Sequence, residues 1–96
     1  MKISFNNENG VLSVAVDGRL DTTTAPELEA FIANNYNASG SIVIDCEKLS
    51  YISSAGLRVL LATQKRTKGA MKLINVCEEV MEVFEMTGFA DILAIE

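Results

Sequence analysis

Three β-branched residues in succession, Ile42-Val43-Ile44, lie near the middle of the chain between turn-forming residues. An unbroken apolar run of this kind is typical of a strand that is covered on both faces, as in a parallel sheet. Two further runs, Val11 to Val16 and Met71 to Val76, have the composition of strands. Two stretches are predicted to be exposed loops: Asp17 to Asp21, which follows the Val11 to Val16 strand, and the segment from Leu49 onward, which follows the Ile42 to Ile44 strand. Because helical patterns separate the runs, the sequence predicts an α/β domain with a mixed, mainly parallel sheet.

Two helical patterns lie between these strands. The first follows Thr24-Ala25-Pro26-Glu27, which has the form of a capping box with a proline in the first turn. We expect it to end in the breaker region Asn34 to Gly40. The second begins near Ser53 or Ser54, where leucines recur at helical spacing, and Gly69 is a suitable stop for it.

The two ends of the chain complete the predicted fold. Lys2 to Phe5 alternates polar and apolar residues, and the Asn9-Gly10 pair after it predicts a hairpin to the next strand. A third helix is predicted from Glu78 to Met86, with Gly88 as its stop. Phe89 to Ile95 is predicted to add a short edge strand. The result is a four- to five-stranded sheet with an N-terminal β-hairpin and about three packed helices.

Length and charge bound the class of protein. Ninety-six residues suit one domain, spanning residues 1–96, and no apolar run approaches the roughly 20 residues of a membrane span. The start of the chain becomes polar too soon for a signal peptide, so we expect a cytoplasmic protein without membrane insertion. The net charge is −5 and no basic tail is present. A nucleic acid is therefore not an expected direct partner.

The residue types that support catalysis are scarce. The chain has no histidine, which removes Ser-His and Cys-His nucleophile schemes and most zinc sites. Cys46 and Cys77 are too far apart for a CxxC motif, and we expect both to be small buried hydrophobes rather than a disulfide. We therefore expect no enzyme activity, no metal and no cofactor. The competing hypothesis is a small enzyme that uses Ser54, Asp21 or a cysteine, for which a lysine is the available base.

The serines at the start of the second helix are the candidate functional site. A serine there can cap orphan backbone N–H groups, and the same groups at the positive end of the helix dipole favour a phosphate. Arg58 lies four residues after Ser54, on the same side of the helix. The hydroxyl of Ser53 or Ser54 is thus predicted to be the site of a reversible charge switch. Ser53 is predicted to be equally exposed.

The stretch from Leu49 to Leu61 resembles the signature of the STAS domain, the family of bacterial anti-sigma-factor antagonists. That signature is typically an Asp-Ser-Ser/Thr-Gly-Leu run after a short Leu-Ser-aromatic lead. Ser53 occupies the place of the Asp, Ser54 that of the phosphoacceptor, and Gly56-Leu57 match directly. Gly18-Arg19-Leu20-Asp21 is similar to the Gly-x-Leu-Asp turn of the family. The resemblance covers essentially the whole chain and implies the same α/β plan.

The resemblance implies a protein-interaction module controlled by phosphorylation of Ser54. A surface that includes Asp21, Ser53, Gly56 and Arg58 would bind an anti-sigma factor with serine kinase activity. Phosphorylation would release that partner, and a serine phosphatase would restore binding. The chain would act as a monomer. Two alternatives stay open: Ser53 could replace Ser54 as the acceptor, or the chain could be a STAS-like scaffold that binds a transporter or signalling partner without phosphorylation.

Overall fold

Four strands, three α-helices and one short 3₁₀ helix make up the computed structural model of the chain, which describes residues 1–37 and 39–96. In chain order these elements are β1 (Lys2–Glu8), β2 (Val11–Leu20), α1 (Ala25–Asn35), β3 (Ser41–Ile52), α2 (Ser54–Arg66), β4 (Met71–Ile74) and α3 (Glu78–Thr87). The three helices begin and end close to their predicted limits. Ala38, inside the predicted break between Asn34 and Gly40, lies outside the described residues.

The strands form one mixed sheet in the order β1-β2-β3-β4. β1 and β2 are antiparallel, whereas β3 is parallel to both β2 and β4. Asn9 and Gly10, both with positive φ, form the hairpin turn, as the Asn-Gly pair predicts. The prediction of a mixed, mainly parallel sheet with an N-terminal hairpin is confirmed.

The helices cover only one face of this sheet. Because crossovers between parallel strands are right-handed and each new strand is added on the same side, the connecting helices collect on one face. Alternate strand residues are buried there together with Leu28 of α1, Leu60 of α2 and Phe84 of α3. The prediction that Ile42-Val43-Ile44 is covered on both faces is wrong, because Ile42 and Ile44 are buried while Val43 is only half-buried on the open face.

β2 and β3 extend further than predicted. The expected loops, Asp17 to Leu20 and Leu49 to Ile52, instead pair with each other, and Leu20 lies opposite Ile52. At two points β3 has one more residue than β2. Each of these bulges puts two exposed residues in succession, Glu47-Lys48 and Ser50-Tyr51. The bulges interrupt the alternation of buried and exposed residues, which is why these segments have the pattern of loops.

The predicted edge strand from Phe89 to Ile95 is wrong. Phe89–Asp91 is a short 3₁₀ helix, and only Ile95 forms a bridge, to Leu73 of β4. Two backbone hydrogen bonds support that bridge: Leu73 N–H donates to Ala94 O at 2.8 Å, and Glu96 N–H donates to Leu73 O at 2.9 Å. Among the described residues, the sheet therefore has four strands, and residues 94–96 lie along its edge.

Candidate functional site

The candidate site lies at the carboxyl ends of β2 and β3, where α1 and α2 both begin. The backbone N–H of Ser53 donates to Leu20 O at 2.9 Å, so the two strand ends are joined directly. Asp21 follows Leu20, and Ser54 follows Ser53. The structure therefore brings Asp21 and the serine pair together, although more than thirty positions separate them in the sequence.

The two serines have different environments, so the prediction that they are equally exposed is wrong. Ser53 is half-buried and is the N-cap of α2, and its Oγ accepts a hydrogen bond from Gly56 N–H at 3.5 Å. Ser54 is the first residue of the helix and is exposed. Within residues 1–37 and 39–96, its hydroxyl has no hydrogen-bond partner. Ser53 therefore holds the helix end, whereas the hydroxyl of Ser54 is free to react.

Alanine substitutions should separate these two roles. Ser53→Ala removes the cap and should lower the free energy of unfolding by about 1 kcal/mol. Ser54→Ala removes no contact within the described part of the chain and should change it by less than about 0.5 kcal/mol. Urea unfolding followed by circular dichroism measures both. Equal losses for the two variants would contradict the assignment of Ser53 as the cap.

Asp21 organises the turn that leads into α1. Its Oδ1 accepts hydrogen bonds from Thr23 Oγ1 at 2.8 Å, from Thr23 N–H at 3.0 Å and from Thr24 N–H at 3.2 Å. The predicted capping box is wrong: Thr24 Oγ1 makes no bond to the helix end, but accepts from Asp21 N–H and donates to Arg19 O. The carboxylate of Asp21 thus satisfies the backbone donors of this turn, and it is half-buried beside the serines.

The hydrogen bonds to Asp21 hold its pKa below the ordinary value of 3.8. The bond from the Thr23 hydroxyl is the largest cause, desolvation opposes it, and the backbone N–H groups of Thr23 and Thr24 add to the lowering. Each of these bonds favours the ionised carboxylate, because a carboxylate without a proton only accepts. Asp21 therefore stays charged through the neutral and mildly acidic range.

The lowered pKa of Asp21 predicts a pH dependence of stability. Its contribution is fully present above the unfolded-state pKa and is lost as the pH falls through the lower folded-state pKa. Asp21→Asn should therefore be less stable than the parent at pH 7, and the two should converge as the pH falls below the lowered folded-state pKa of Asp21. Urea midpoints measured across this range test it, with Asp91→Asn as a control outside the turn. A constant difference at every pH would contradict the role of the charge.

Arg19 and Tyr51 form a second feature of the site that the sequence patterns did not indicate. They are paired across β2 and β3, and the Arg19 guanidinium carbon lies 4.0 Å from the centre of the Tyr51 ring. Arg19 Nε is also 3.8 Å from Asp21 Oδ2. Both side chains are exposed. Because stacked Arg and Tyr side chains are enriched at protein interfaces, the pair enlarges the candidate contact surface.

Gly56 does not lie on that surface. It is buried against the strand ends, and a Cβ at this position would be 2.8 Å from Leu20 Cγ and 2.9 Å from Ile52 Cγ1. The sequence placed Gly56 among the partner-binding residues, but its burial leaves nothing for a partner to contact. Its role is to let the first turn of α2 approach the sheet closely, which positions Ser54.

Arg58 is exposed one helical turn after Ser54. In the described ranges, 1–37 and 39–96, it forms neither an ion pair nor a hydrogen bond. It lines a hollow of about 360 Å³ between α1 and α2, whose other lining residues are Thr22, Ala25, Pro26, Glu29, Ala55, Val59 and Ala62. A separate hollow of about 300 Å³ lies on the open face of the sheet, and none of the predicted site residues lines it.

The remaining residues that could act as nucleophiles or metal ligands are buried or are not grouped together. Cys46 is buried, and this burial raises the pKa of its thiol to about 12, so almost no thiolate forms near pH 7. Cys77 is half-buried, with its Sγ 3.5 Å from Leu49 O. Within the described part of the chain, no three His, Cys, Asp or Glu side chains are grouped as a metal would require. No helix there is both long and apolar enough to cross a bilayer.

Comparison with known proteins places this chain in a family. The model of the STAS domain matches residues 2–96. The chain belongs to the STAS domain family. BtrV of Bordetella bronchiseptica is 34% identical to it over 99 residues, which cover 99% of this chain and 85% of BtrV. The anti-sigma-B factor antagonist of Bacillus subtilis is 33% identical over 92 residues, covering 93% of this chain and 84% of that protein.

Solved structures share the fold. The anti-sigma factor antagonist SpoIIAA in its unphosphorylated form superposes with a TM-score of 0.79 at 18% identity, covering 99% of this chain and 88% of that one. The phosphorylated form of SpoIIAA, described as a Bacillus cell fate determinant, gives a TM-score of 0.73 at 17% identity, with 99% and 91% covered. At these identities the likeness shows that the four-stranded sheet and its three helices are arranged as in SpoIIAA.

Proposed function

We propose that this protein is an anti-sigma-factor antagonist whose binding is switched by phosphorylation of Ser54. The observation that carries the proposal is the exposed hydroxyl of Ser54 on the first residue of α2, with no partner among the described residues. Relatives named as antagonists of anti-sigma factors support the same function. The unphosphorylated protein binds an anti-sigma factor in the cytoplasm and thereby frees a sigma factor. The chain acts by binding and catalyses no reaction.

The helix end at Ser54 can hold a phosphate without rearrangement. A phosphoserine carries about −1.5 to −2 charges near pH 7. The positive end of the α2 dipole and its N-terminal N–H groups favour this charge, and Arg58 lies one turn away. Because Ser53 Oγ already accepts the capping hydrogen bond from Gly56 N–H, phosphorylation of Ser53 would disrupt that bond. The geometry therefore favours Ser54 as the acceptor.

The same phosphate disfavours the complex. We place the contact surface on Asp21, Ser53, Ser54 and Arg58, with Arg19 and Tyr51 at its edge. A partner that covers a neutral hydroxyl leaves no room for a phosphate and would have to strip water from its charge. Asp21, which is ionised at neutral pH, adds repulsion between like charges. Phosphorylation should therefore weaken binding, and a serine phosphatase should restore it.

The partner proposed here supplies the chemistry that the chain lacks. An anti-sigma factor with serine kinase activity would hold ATP in its own site and transfer the terminal phosphoryl group to Ser54 Oγ. The hydroxyl proton leaves with the transfer, and ADP is the second product. The exposed position of Ser54 allows the in-line approach that phosphoryl transfer requires.

Mass spectrometry of the protein from its native cells tests this proposal. The intact mass should include a species heavier by one phosphate, and fragmentation should place it on Ser54. A Ser54→Ala variant expressed at the same level should lack that species. A phosphate on Ser53 would keep the switch but move the acceptor by one residue. Absence of phosphate under every growth condition would overturn the switch and favour a scaffold that binds constitutively.

A further inference from the structure

The hollow between α1 and α2 is a second feature of the surface that carries Ser54. It lies beside the first two turns of α1 and the first three turns of α2, and it has a volume of about 360 Å³. Much of its lining comes from small side chains, namely Ala25, Pro26, Ala55 and Ala62. Ala55 directly follows Ser54, so the hollow is continuous with the proposed contact surface.

Two opposite charges flank this hollow. Arg58 projects from α2 and Glu29 from α1, and both are exposed. In residues 1–37 and 39–96, the ion pairs are Arg19 with Asp21 and Lys72 with Glu96. Arg58 and Glu29 are therefore not paired with each other, and both remain available to groups outside the chain. Such an arrangement suits a segment that carries the complementary charges on either side of an apolar residue.

We propose that the hollow between α1 and α2 seats a segment of the anti-sigma factor. That segment has an aliphatic side chain, which fills the space over Ala55 and Ala62, flanked by a carboxylate for Arg58 and a cation for Glu29. The inference rests on the proposed function, because it takes the occupant to be the partner bound at Ser54. It adds an anchor and a charge pattern that Ser54 alone does not provide.

This seat would make the interface sensitive to phosphorylation through Arg58. In the unphosphorylated protein, the guanidinium pairs with the carboxylate of the partner. A phosphate on Ser54, one turn before Arg58 on the same side of α2, attracts that guanidinium and repels the carboxylate. The two anions compete for one cation, so part of the effect of phosphorylation is loss of this pair.

Binding measurements with substituted hollow residues test the inference. The probes are the anti-sigma factors of the source bacterium, purified and offered one at a time with Mg²⁺ and ADP, so that Ser54 stays unmodified. Ala62→Leu fills the hollow and should weaken binding about 10-fold or more. Glu29→Lys should weaken it about 5-fold or more by repelling the cation of the partner. Ala94→Leu, at an exposed position on residues 94–96, is the matched control and should bind as the parent does.

A fourth variant tests the role of Arg58. Arg58→Gln should weaken binding of the unphosphorylated protein about 5-fold. It should also reduce the ratio of dissociation constants between phosphorylated and unphosphorylated protein, because the competition for Arg58 is absent. Phosphorylated protein is prepared by incorporating phosphoserine at position 54 during translation. Circular dichroism of each variant confirms that it is folded before binding is measured.

The outcomes distinguish the hollow from the switch. One outcome is that Ala62→Leu and Glu29→Lys bind as the parent does while phosphorylation at Ser54 still prevents binding. That result would contradict binding of the partner in the hollow, and the proposed function would stand. If both substitutions weaken binding and Ala94→Leu does not, binding of the partner in the hollow is supported. If the parent binds none of the anti-sigma factors, the proposed function fails, and the inference fails with it.

Discussion

Ser54→Asp should weaken binding of the anti-sigma factor by at least about 100-fold, equivalent to about 3 kcal/mol. The substitution puts a permanent charge on the first residue of α2, where the parent has a neutral hydroxyl. The helix dipole favours this charge, so the domain itself should remain as stable as the parent. In the complex the carboxylate is covered by the partner beside the ionised Asp21, and it competes with the carboxylate of the partner for Arg58.

Isothermal titration with each purified anti-sigma factor and ADP measures this effect. Ser54→Ala keeps position 54 neutral and should bind within a few-fold of the parent. Ser13→Asp places the same charge at an exposed position on the open face of the sheet, and it should not change binding. If Ser54→Asp bound as tightly as the parent, Ser54 would lie outside the interface and the switch proposed here would be wrong.

Gly56→Ala should lower the free energy of unfolding by about 1–3 kcal/mol. Helix propensity alone predicts the opposite, a gain of about 1 kcal/mol when alanine replaces glycine inside a helix. The difference arises because the added Cβ would be 2.8 Å from Leu20 Cγ and 2.9 Å from Ile52 Cγ1, closer than carbon atoms can approach. Either those side chains or the first turn of α2 must move.

Urea unfolding measures the stability of this variant, and Ala62→Gly supplies the control. Ala62 is exposed on the same helix, so its replacement by glycine reports the propensity of α2 without a packing change. Because Gly56→Ala displaces the helix end that carries Ser54, we also expect weaker binding of the anti-sigma factor. A gain in stability for Gly56→Ala would show that the close contact with Leu20 and Ile52 does not limit the approach of α2.

The helices and their order could be predicted from local patterns. The leucine spacing after Ser54 and the glycine at position 88 predict the start of α2 and the end of α3, and Gly88 indeed has a positive φ of 83°. These signals are local, because the backbone hydrogen bonds of a helix join residues of the same segment. The cap of α1 was predicted less well: Asp21, three residues before the predicted Thr24, satisfies the N–H groups of that turn.

The ends of the long strands could not be predicted in this way. Asp17 to Leu20 and Leu49 to Ile52 are polar or irregular in sequence, and each is a strand only because it pairs with the other. The two bulges of β3 remove the alternation that indicates a strand. The open face of the sheet escaped prediction for a related reason, since it follows from the order of all four strands rather than from any one run.

The site was predicted in part. The resemblance to the STAS signature indicated Asp21 and Ser54, and helical spacing indicated Arg58; the structure brings Asp21 and Ser54 to the same end of the sheet. Periodicity could not separate Ser53 from Ser54, because it does not fix the helix start to one residue, and Ser53 is the N-cap whereas Ser54 is the first helical residue. The Arg19–Tyr51 pair was missed, because its two members are distant in sequence and meet only through the strand pairing.

Residues 94–96 also affect how copies of this protein behave toward one another. β4 is the last strand of the sheet, and an uncovered strand edge offers N–H and C=O groups to which another chain can add. Leu73, in the middle of the hydrophobic segment Met71–Ile74, directs both of its backbone groups to Ala94 and Glu96. These two hydrogen bonds occupy the backbone groups of Leu73 at this edge of the sheet. They leave fewer free backbone groups for a strand of another copy to pair with, at the side of the domain away from β1 and its hairpin.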